Sequence, residues 1–429
     1  MISKETWGKI IRDYLEWDVE LIERDVNYTL PKIQRALVII GPRRAGKTYF
    51  MFQIIKELLK QGIRKDETLY INLEDPRTIG TTLEDLLNLL DVYYSLFPEN
   101  AKKRNYFFLD EVQTVDNWEK FVRFLLDKNQ QVVVSGSSSR LLSKEIATEL
   151  RGRSISLKIY PFSFKEVLKS RNIRPAPFYS TYEEAKIKKL LREYLLWGGY
   201  PEVVLDFSLR REILREIIDL TIYKDIIERW GIANIRALKL LFRMLAFSTH
   251  LSISKAYKNL KGIGINVGKT TVANYLEYLE DSLVFYPLRP LIKSYKLQEL
   301  YGFKPYLVDN GLLTILGVED KGRLLENLVF TELLKSGLEP NRNIFYYRTK
   351  NGKEADFVVR ENGTVKQIIQ VTHELNHSNY EREISALIEA SKELKCGNLL
   401  LITWDQEELI REKGKEIRVV PLWKWLLSL

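Results

Sequence analysis

Hydrophobic and polar positions change period several times along this chain, and each change predicts an element. Residues 1–30 place Trp7, Ile10, Ile11, Tyr14 and Leu15 at helical spacing, so a lead-in helix is expected. Residues 36–40, ALVII, form an unbroken apolar run of strand length. Strand and helix patterns then alternate: TLYINL at 68–73, a helix near 82–95, YFFLD at 106–110, a helix near 117–127, QVVVS at 131–135, a helix near 139–149, and SISLKIY at 154–160. Such alternation predicts a parallel sheet covered by helices on both faces. Pro161 closes the run. Residues 162–230 read as helices broken at RPAP (174–177) and WGGYP (197–201). Residues 231–310 read as three helices and two strand-like runs. The remainder starts with a helix near 323–336, then strands near 344–348, 354–360, 366–372 and 398–403, with a helix near 379–394.

Composition narrows the class. Of 429 residues, 45% are apolar and 29% charged, which fits a globular chain of about three domains. No apolar run approaches the ~20 residues of a membrane span, and MISKETWGKI does not read as a signal peptide. A single cysteine, Cys396, excludes an internal disulfide and a Cys-cluster zinc site. A cytoplasmic location without membrane attachment is expected. Three histidines leave little room for His-based triads. The net charge of +9 admits a polyanionic partner without naming one.

The sharpest local signal is Gly41-Pro42-Arg43-Arg44-Ala45-Gly46-Lys47-Thr48, which fits G-x-x-x-x-G-K-[ST] and sits between a buried strand and a helix. Amides of the loop and helix start, through Tyr49, can wrap phosphate oxygens. Lys47 would reach the β- and γ-phosphates of ATP, and Thr48 would hold Mg²⁺. A second Gly-Lys-Thr at 268–270 lacks the required glycine, since position 263 is Ile. The strand ending in Asp110-Glu111 pushes two carboxylates to its tip. Asp110 can join the Mg²⁺ shell and Glu111 can polarise the attacking water. The tip Ser135-Gly136-Ser137-Ser138 can touch the γ-phosphate or the water. Arg151 or Arg153 can stabilise transferring charge, in its own subunit or a neighbour's. A plain turn and two solvated arginines are the alternative.

GPRRAGKT, with YINLEDPR (70–77), FLDEVQ and NWEK (108–120), VVVSGSSSRLL (132–142) and RGR followed by PFSF (151–164), resembles the AAA+-type P-loop ATPases of archaea and bacteria, in which a C-terminal domain of unknown function follows the ATPase. The resemblance implies a sheet with the acidic strand beside the phosphate-loop strand. It also implies nucleotide and Mg²⁺ binding by Lys47 and Thr48, an acidic pair at Asp110 and Glu111, a sensor position at Ser137, and a family-type arginine at Arg153. It names the motor and not its load.

Two further stretches carry chemistry. In 253–282, two helices across a Gly-containing turn precede the strand-like SLVFYPLRP, with YLVD (306–309) as its partner. This is the order of a winged helix-turn-helix. Residues 231–305 hold 11 Lys and Arg against 4 Asp and Glu, a net of +7, and Lys255, Lys258, Lys261 and Lys269 cluster there. Such lysines neutralise phosphates with little sequence choice, although winged helices also serve as protein scaffolds. Farther on, Glu326 on a helix, Asp356 in Glu354-Ala-Asp356, and Gln370-Val371-Thr372 resemble a PD-(D/E)xK nuclease core that has lost its lysine and its second carboxylate. A retained fold used for binding is expected there. His373-Glu374-Leu375-Asn376-His377 matches H-E-x-x-H, but zinc binding needs a helix, and these residues read as a loop.

The fold class expected is α/β. Its parts are a P-loop NTPase parallel sheet with a lead-in helix (1–160), a helical lid (161–230), a winged helix-turn-helix (231–310) and a nuclease-like α/β domain (311–429). The function expected is a Mg²⁺-dependent ATPase acting on or regulated by DNA, with homo-oligomers allowed. The alternatives are a nucleotide-switched protein-interaction or signalling module and an ATP-dependent nuclease.

Overall fold

A computed structural model describes the chain apart from residues 1, 138–149, 151, 175, 177, 293, 295, 296, 299 and 300. The helix expected near 139–149 lies outside the described residues, as does Arg151. The chain divides into two compact units, Met1–Tyr160 and Pro161–Leu429.

In the first unit, helix α1 (Lys4–Glu16) starts at Ser3, whose hydroxyl accepts from the Thr6 amide, and buries Trp7, Ile10, Ile11 and Tyr14. That one-sided stripe packs α1 onto α3 (Leu83–Leu96) and β2 (Thr68–Asn72). β1 (Ala36–Gly41) is buried along its full length, the expected state of a strand covered on both faces. It leads through the phosphate loop into α2 (Lys47–Lys60). β3 (Tyr106–Asp110), α4 (Trp118–Asp127), β4 (Gln131–Ser137) and β5 (Ser154–Lys158) complete the unit. The sheet order is β2-β3-β4-β1-β5, and every pairing is parallel. The strand tips at Gly41, Asn72, Asp110 and Ser137 therefore finish on one edge.

This order corrects one expectation. The acidic strand β3 does not neighbour β1, because β4 lies between them. Adjacent strands are about 4.8 Å apart, so the inserted strand opens a gap at the edge between the loop and the acids.

In the second unit, α5 (Phe164–Ser170), α6 (Thr181–Trp197), α7 (Pro201–Leu205) and α8 (Arg210–Leu220) come first. α8 runs on into a π-helix at Thr221–Glu228. Next come α9 (Ile235–Phe247), α10 (Ile253–Gly262) and α11 (Lys269–Asp281), then the antiparallel pair β6 (Phe285–Leu288) and β7 (Lys304–Leu307). Leu251, between α9 and α10, bridges antiparallel to Phe303. α12 (Asn310–Leu316) and α13 (Lys321–Lys335) follow.

A six-stranded sheet ends the chain. β8 (Ile344–Arg348), β9 (Glu354–Glu361) and β10 (Thr364–Val371) form an antiparallel meander. α14 (Tyr380–Leu394) then crosses to β11 (Leu399–Thr403), parallel to β10. β12 (Glu408–Glu412) and β13 (Lys415–Pro421) extend the sheet, and α15 (Leu422–Ser428) closes it. The carboxamide of Asn327 on α13 bonds both backbone groups of Leu307 (2.9 and 3.0 Å), fixing β7 against that helix.

Candidate nucleotide site

The loop conformation follows from its glycines. A Cβ at Gly41 would lie 2.1 Å from the carbonyl oxygen of Ile159, so only glycine lets β1 end there. Gly46 caps α2 at φ 93°, a left-handed conformation open to glycine, and brings no side chain to the helix start. The first-turn amides of α2 are thus left for an anion, favoured further by the helix dipole. Arg44 is also left-handed, at φ 61°. The Lys47 ammonium donates to the carbonyls of Gly41 and Pro42, 3.2 Å each, so it curls over the loop.

The loop is held from outside by Arg24, a residue that no motif singled out. Its guanidinium donates to the Ala45 carbonyl (3.0 Å) and the Tyr160 carbonyl (2.6 Å). Its backbone amide donates to Gln53 on α2 (2.7 Å).

Asp110 sits at the centre of a hydroxyl cluster. The Thr48 hydroxyl donates to it at 2.6 Å and the Tyr70 hydroxyl at 2.9 Å, on the same oxygen, while Ser135 donates to the other oxygen. Burial raises the Asp110 pKa, Glu111 raises it further, and the three hydroxyls pull it back only in part. The same burial, with the Asp110 charge, pushes the Tyr70 hydroxyl upward, so it stays a donor. Glu111 follows in a left-handed turn (φ 54°, ψ 47°), its carboxylate accepting from Gln113 at 2.5 Å. Glu74, just past β2, was not singled out either. Desolvation and then Glu111 raise its pKa, against Arg43.

The structure brings Gly41, Lys47, Thr48 and Asp110 together. Ser135 is committed to Asp110 rather than to a phosphate. Ser137 ends β4 opposite Gly41, and its side chain lies outside the described residues. Arg153 is elsewhere. Its carbonyl accepts from Ala36 at the start of β1, and its guanidinium pairs with Asp127 at 2.5 Å. Five strand residues, about 16 Å, separate it from the loop. Arg153 therefore stands about a strand's length from the phosphate loop of its own chain. Arg153 lines a surface cavity of about 340 Å³ with Lys120, Arg123, Phe124 and Asp127.

In the second unit, Lys255, Lys258, Lys261 and Lys269 are exposed on α10 and α11. Lys304, counted with them in the basic region, is buried. Its ammonium lies 2.9 Å from Glu326, 3.0 Å from Glu354 and 2.8 Å from Asp356. Glu326 and Asp356 thus belong to an internal ion cluster with Lys304 and Glu354. Burial works against the ammonium, but Asp356 and Glu326 hold its pKa well above the ordinary value. Gln370 turns its amide to Glu383 (2.6 Å) and accepts from the Asp356 amide (3.2 Å). His373 stacks on Trp404, with centroids 5.9 Å apart, and precedes α14 in a non-helical stretch. Among the described residues, no group of three or more His, Cys, Asp or Glu is placed to hold a metal ion. Nor is any helix long and apolar enough to cross a membrane.

Comparison with known proteins gives a family. A model described as an AAA domain matches residues 33–168. Models of two domains of unknown function, DUF8612 and DUF4143, match 188–322 and 321–425. The chain is 41% identical to an uncharacterized protein of Methanocaldococcus jannaschii, over 100% of this chain and 97% of that one. It is 31% identical to an uncharacterized protein of Haemophilus influenzae, over 91% and 94%. Among solved structures it is similar to the Walker-type ATPase of Pyrococcus abyssi (14% identity, 74% of this chain and 96% of that one, TM-score 0.44). A second is Cdc6p of Pyrobaculum aerophilum (13%, 73% and 92%, TM-score 0.27).

Proposed function

The chain belongs to one family with these archaeal and bacterial relatives and carries an AAA-type P-loop ATPase domain, and from that premise we propose that it hydrolyses ATP to ADP and phosphate with Mg²⁺. The observation that carries this reading is the Thr48–Asp110 contact beneath a glycine-capped helix start, with Lys47 folded over the loop. Backbone N–H groups of the loop and of the start of α2, through Tyr49, grip the phosphate chain. Lys47 exchanges its two carbonyl partners for phosphate oxygens. Thr48 and Asp110 would hold Mg²⁺, which would supply positive charge against the charge that develops on the phosphates. Glu111 orients the attacking water from the strand tip. Ser135 and Tyr70 keep the Asp110 carboxylate aimed.

Two variants test it. Lys47→Ala loses nucleotide binding. Glu111→Gln keeps binding and loses turnover by on the order of 10²-fold or more. Wild-type turnover by Lys47→Ala refutes the enzymatic reading.

A nucleic-acid role is the second part of the proposal. The succession α9, the Leu251 bridge, α10, α11, β6 and β7 has the order of a winged helix, and four exposed lysines lie on its two central helices. In this reading, 161–230 is a lid, 231–310 a DNA-facing module, and 311–429 a nuclease-like fold that binds without cutting. A nucleotide-switched module that meets only proteins is the competing outcome.

A further inference from the structure

Apart from the candidate nucleotide site, the charges around Lys304 form a dense ion cluster among the described residues of the second unit. Its members come from three elements. β7 supplies Lys304, α13 supplies Glu326, and β9 supplies Glu354 and Asp356, two residues apart and so on one face of the strand. Three carboxylates are an oxygen-only donor set, the chemistry that hard divalent cations select, although as spaced around the ammonium they are not placed to hold a metal ion. Here the convergence point is filled by a cation that the chain carries itself. The contacts of 2.8–3.0 Å are those of an ammonium. A magnesium-sized ion would draw oxygens to about 2.1 Å.

The neighbouring residues serve the delivery of this lysine. Tyr306 donates to Glu326 two residues along the same strand. The Arg323 guanidinium lies over the Tyr306 ring (5.3 Å) and donates to the Pro305 carbonyl. With Asn327 fixing Leu307, four consecutive residues of β7 are tied to α13 or β9. The Val371 amide donates to Asp356 at 3.0 Å, so the acid is held from β10 as well.

We propose that Lys304 is a built-in cation that takes the seat of a divalent ion and thereby latches the β6–β7 pair onto α13 and β9. The latch makes this part of the chain independent of metal for folding. The proposal stands on the cluster alone and does not depend on ATP hydrolysis.

The test uses the full chain without nucleotide, after EDTA treatment, with thermal melting and Mn²⁺ titration as readouts. Wild-type melting is expected to be indifferent to EDTA and Mn²⁺. Lys304→Ala leaves three carboxylates facing one another and melts lower by roughly 10 °C. Millimolar Mn²⁺ restores a large part of that loss and binds at one site more than in wild type. Lys304→Ala combined with Asp356→Asn shows neither recovery nor the extra site. If Lys304→Ala is recovered only as aggregate, refolding from urea with and without Mn²⁺ gives the same decision: recovery with Mn²⁺ supports the latch, and none overturns it. A folded Lys304→Ala chain that ignores Mn²⁺ overturns it too, as does a wild-type Mn²⁺ site that Asp356→Asn removes.

Discussion

At the scale of residues, opposing influences act on the Asp110 carboxylate. Burial and Glu111 favour its proton, and the hydroxyls of Ser135, Thr48 and Tyr70 favour its charge. Holding a cation requires the charge, so Mg²⁺-dependent turnover should weaken as pH falls through the elevated Asp110 pKa. Tyr70→Phe removes one donor and moves that loss to higher pH. It should raise the Mg²⁺ concentration needed for half-maximal rate by roughly 5-fold, the equivalent of about 1 kcal/mol, with little change in the saturated rate. An unaltered Mg²⁺ titration would show that Tyr70 is only core. A second acid reports on stability. Burial pushes Asp309 to about 6 from 3.8, while it accepts the amides of Gly199 and Gly311. The folded chain holds this proton more tightly than the unfolded one. Its stabilisation is full below pH 3.8 and is lost as pH rises through about 6, a change of ~3 kcal/mol. Urea unfolding of Asp309→Asn should lack that component between pH 4 and 6. The phosphate loop was legible because its chemistry is packed into eight consecutive residues. Tyr70, Arg24 and Lys304 were not, since each reaches its partner across 40, 21 or more than 20 positions, and nothing near them in the chain marks that distance.

At the scale of elements, most strands were marked by short runs of consecutive apolar residues. β1 and β3 are largely buried runs whose ends fall within one residue of their sequence signals. The pair β12–β13 was missed: ELIRE and KEIRVVP interleave charged and apolar residues, and β12 is the edge strand, where charge discourages pairing with other chains. Their connection at Lys413-Gly414, both at positive φ, is a tight turn without the usual Asn or Asp. The neighbour order of parallel strands was not readable either. A crossover helix can deposit the next strand beside any open edge, so the placement of β4 between β1 and β3 is a tertiary outcome. The basic helices make a prediction of their own. If α10 meets phosphates, replacing Lys255, Lys258 and Lys261 by Ala should lower the slope of log affinity against log salt by about 2–3 units for duplex DNA. Fluorescence anisotropy over a salt series measures this. No binding by wild type at low salt would move the second unit into the class of protein-interaction modules.

At the scale of the molecule, the question of a self-sufficient subunit or a shared site turns on Arg153 and can be put to experiment. Its backbone borders the first residue of β1, and the phosphate loop follows the last. No rotamer of one side chain spans the length of a strand, so a role in charge stabilisation has to be played on another copy. The cavity it lines with Lys120 and Arg123 is on the surface and rich in positive charge, as a face presented to a neighbour's polyphosphate would be. A shared site has kinetic consequences that a private one lacks. Turnover per chain should rise with protein concentration and then level off. Arg153→Ala should bind ATP normally and hydrolyse it poorly. Glu111→Gln should also be nearly inactive, yet its own Arg153 is intact. Mixed in equal amounts, the two inactive variants form interfaces in which a sound loop from one faces a sound arginine from the other, and roughly a quarter of wild-type activity should return if subunits exchange freely in a closed ring. Recovery that appears only on mixing cannot come from either chain alone. A mixture as inactive as its components, with a wild-type rate independent of concentration, would place the whole reaction inside one subunit and leave Arg153 as the partner of Asp127 and nothing more.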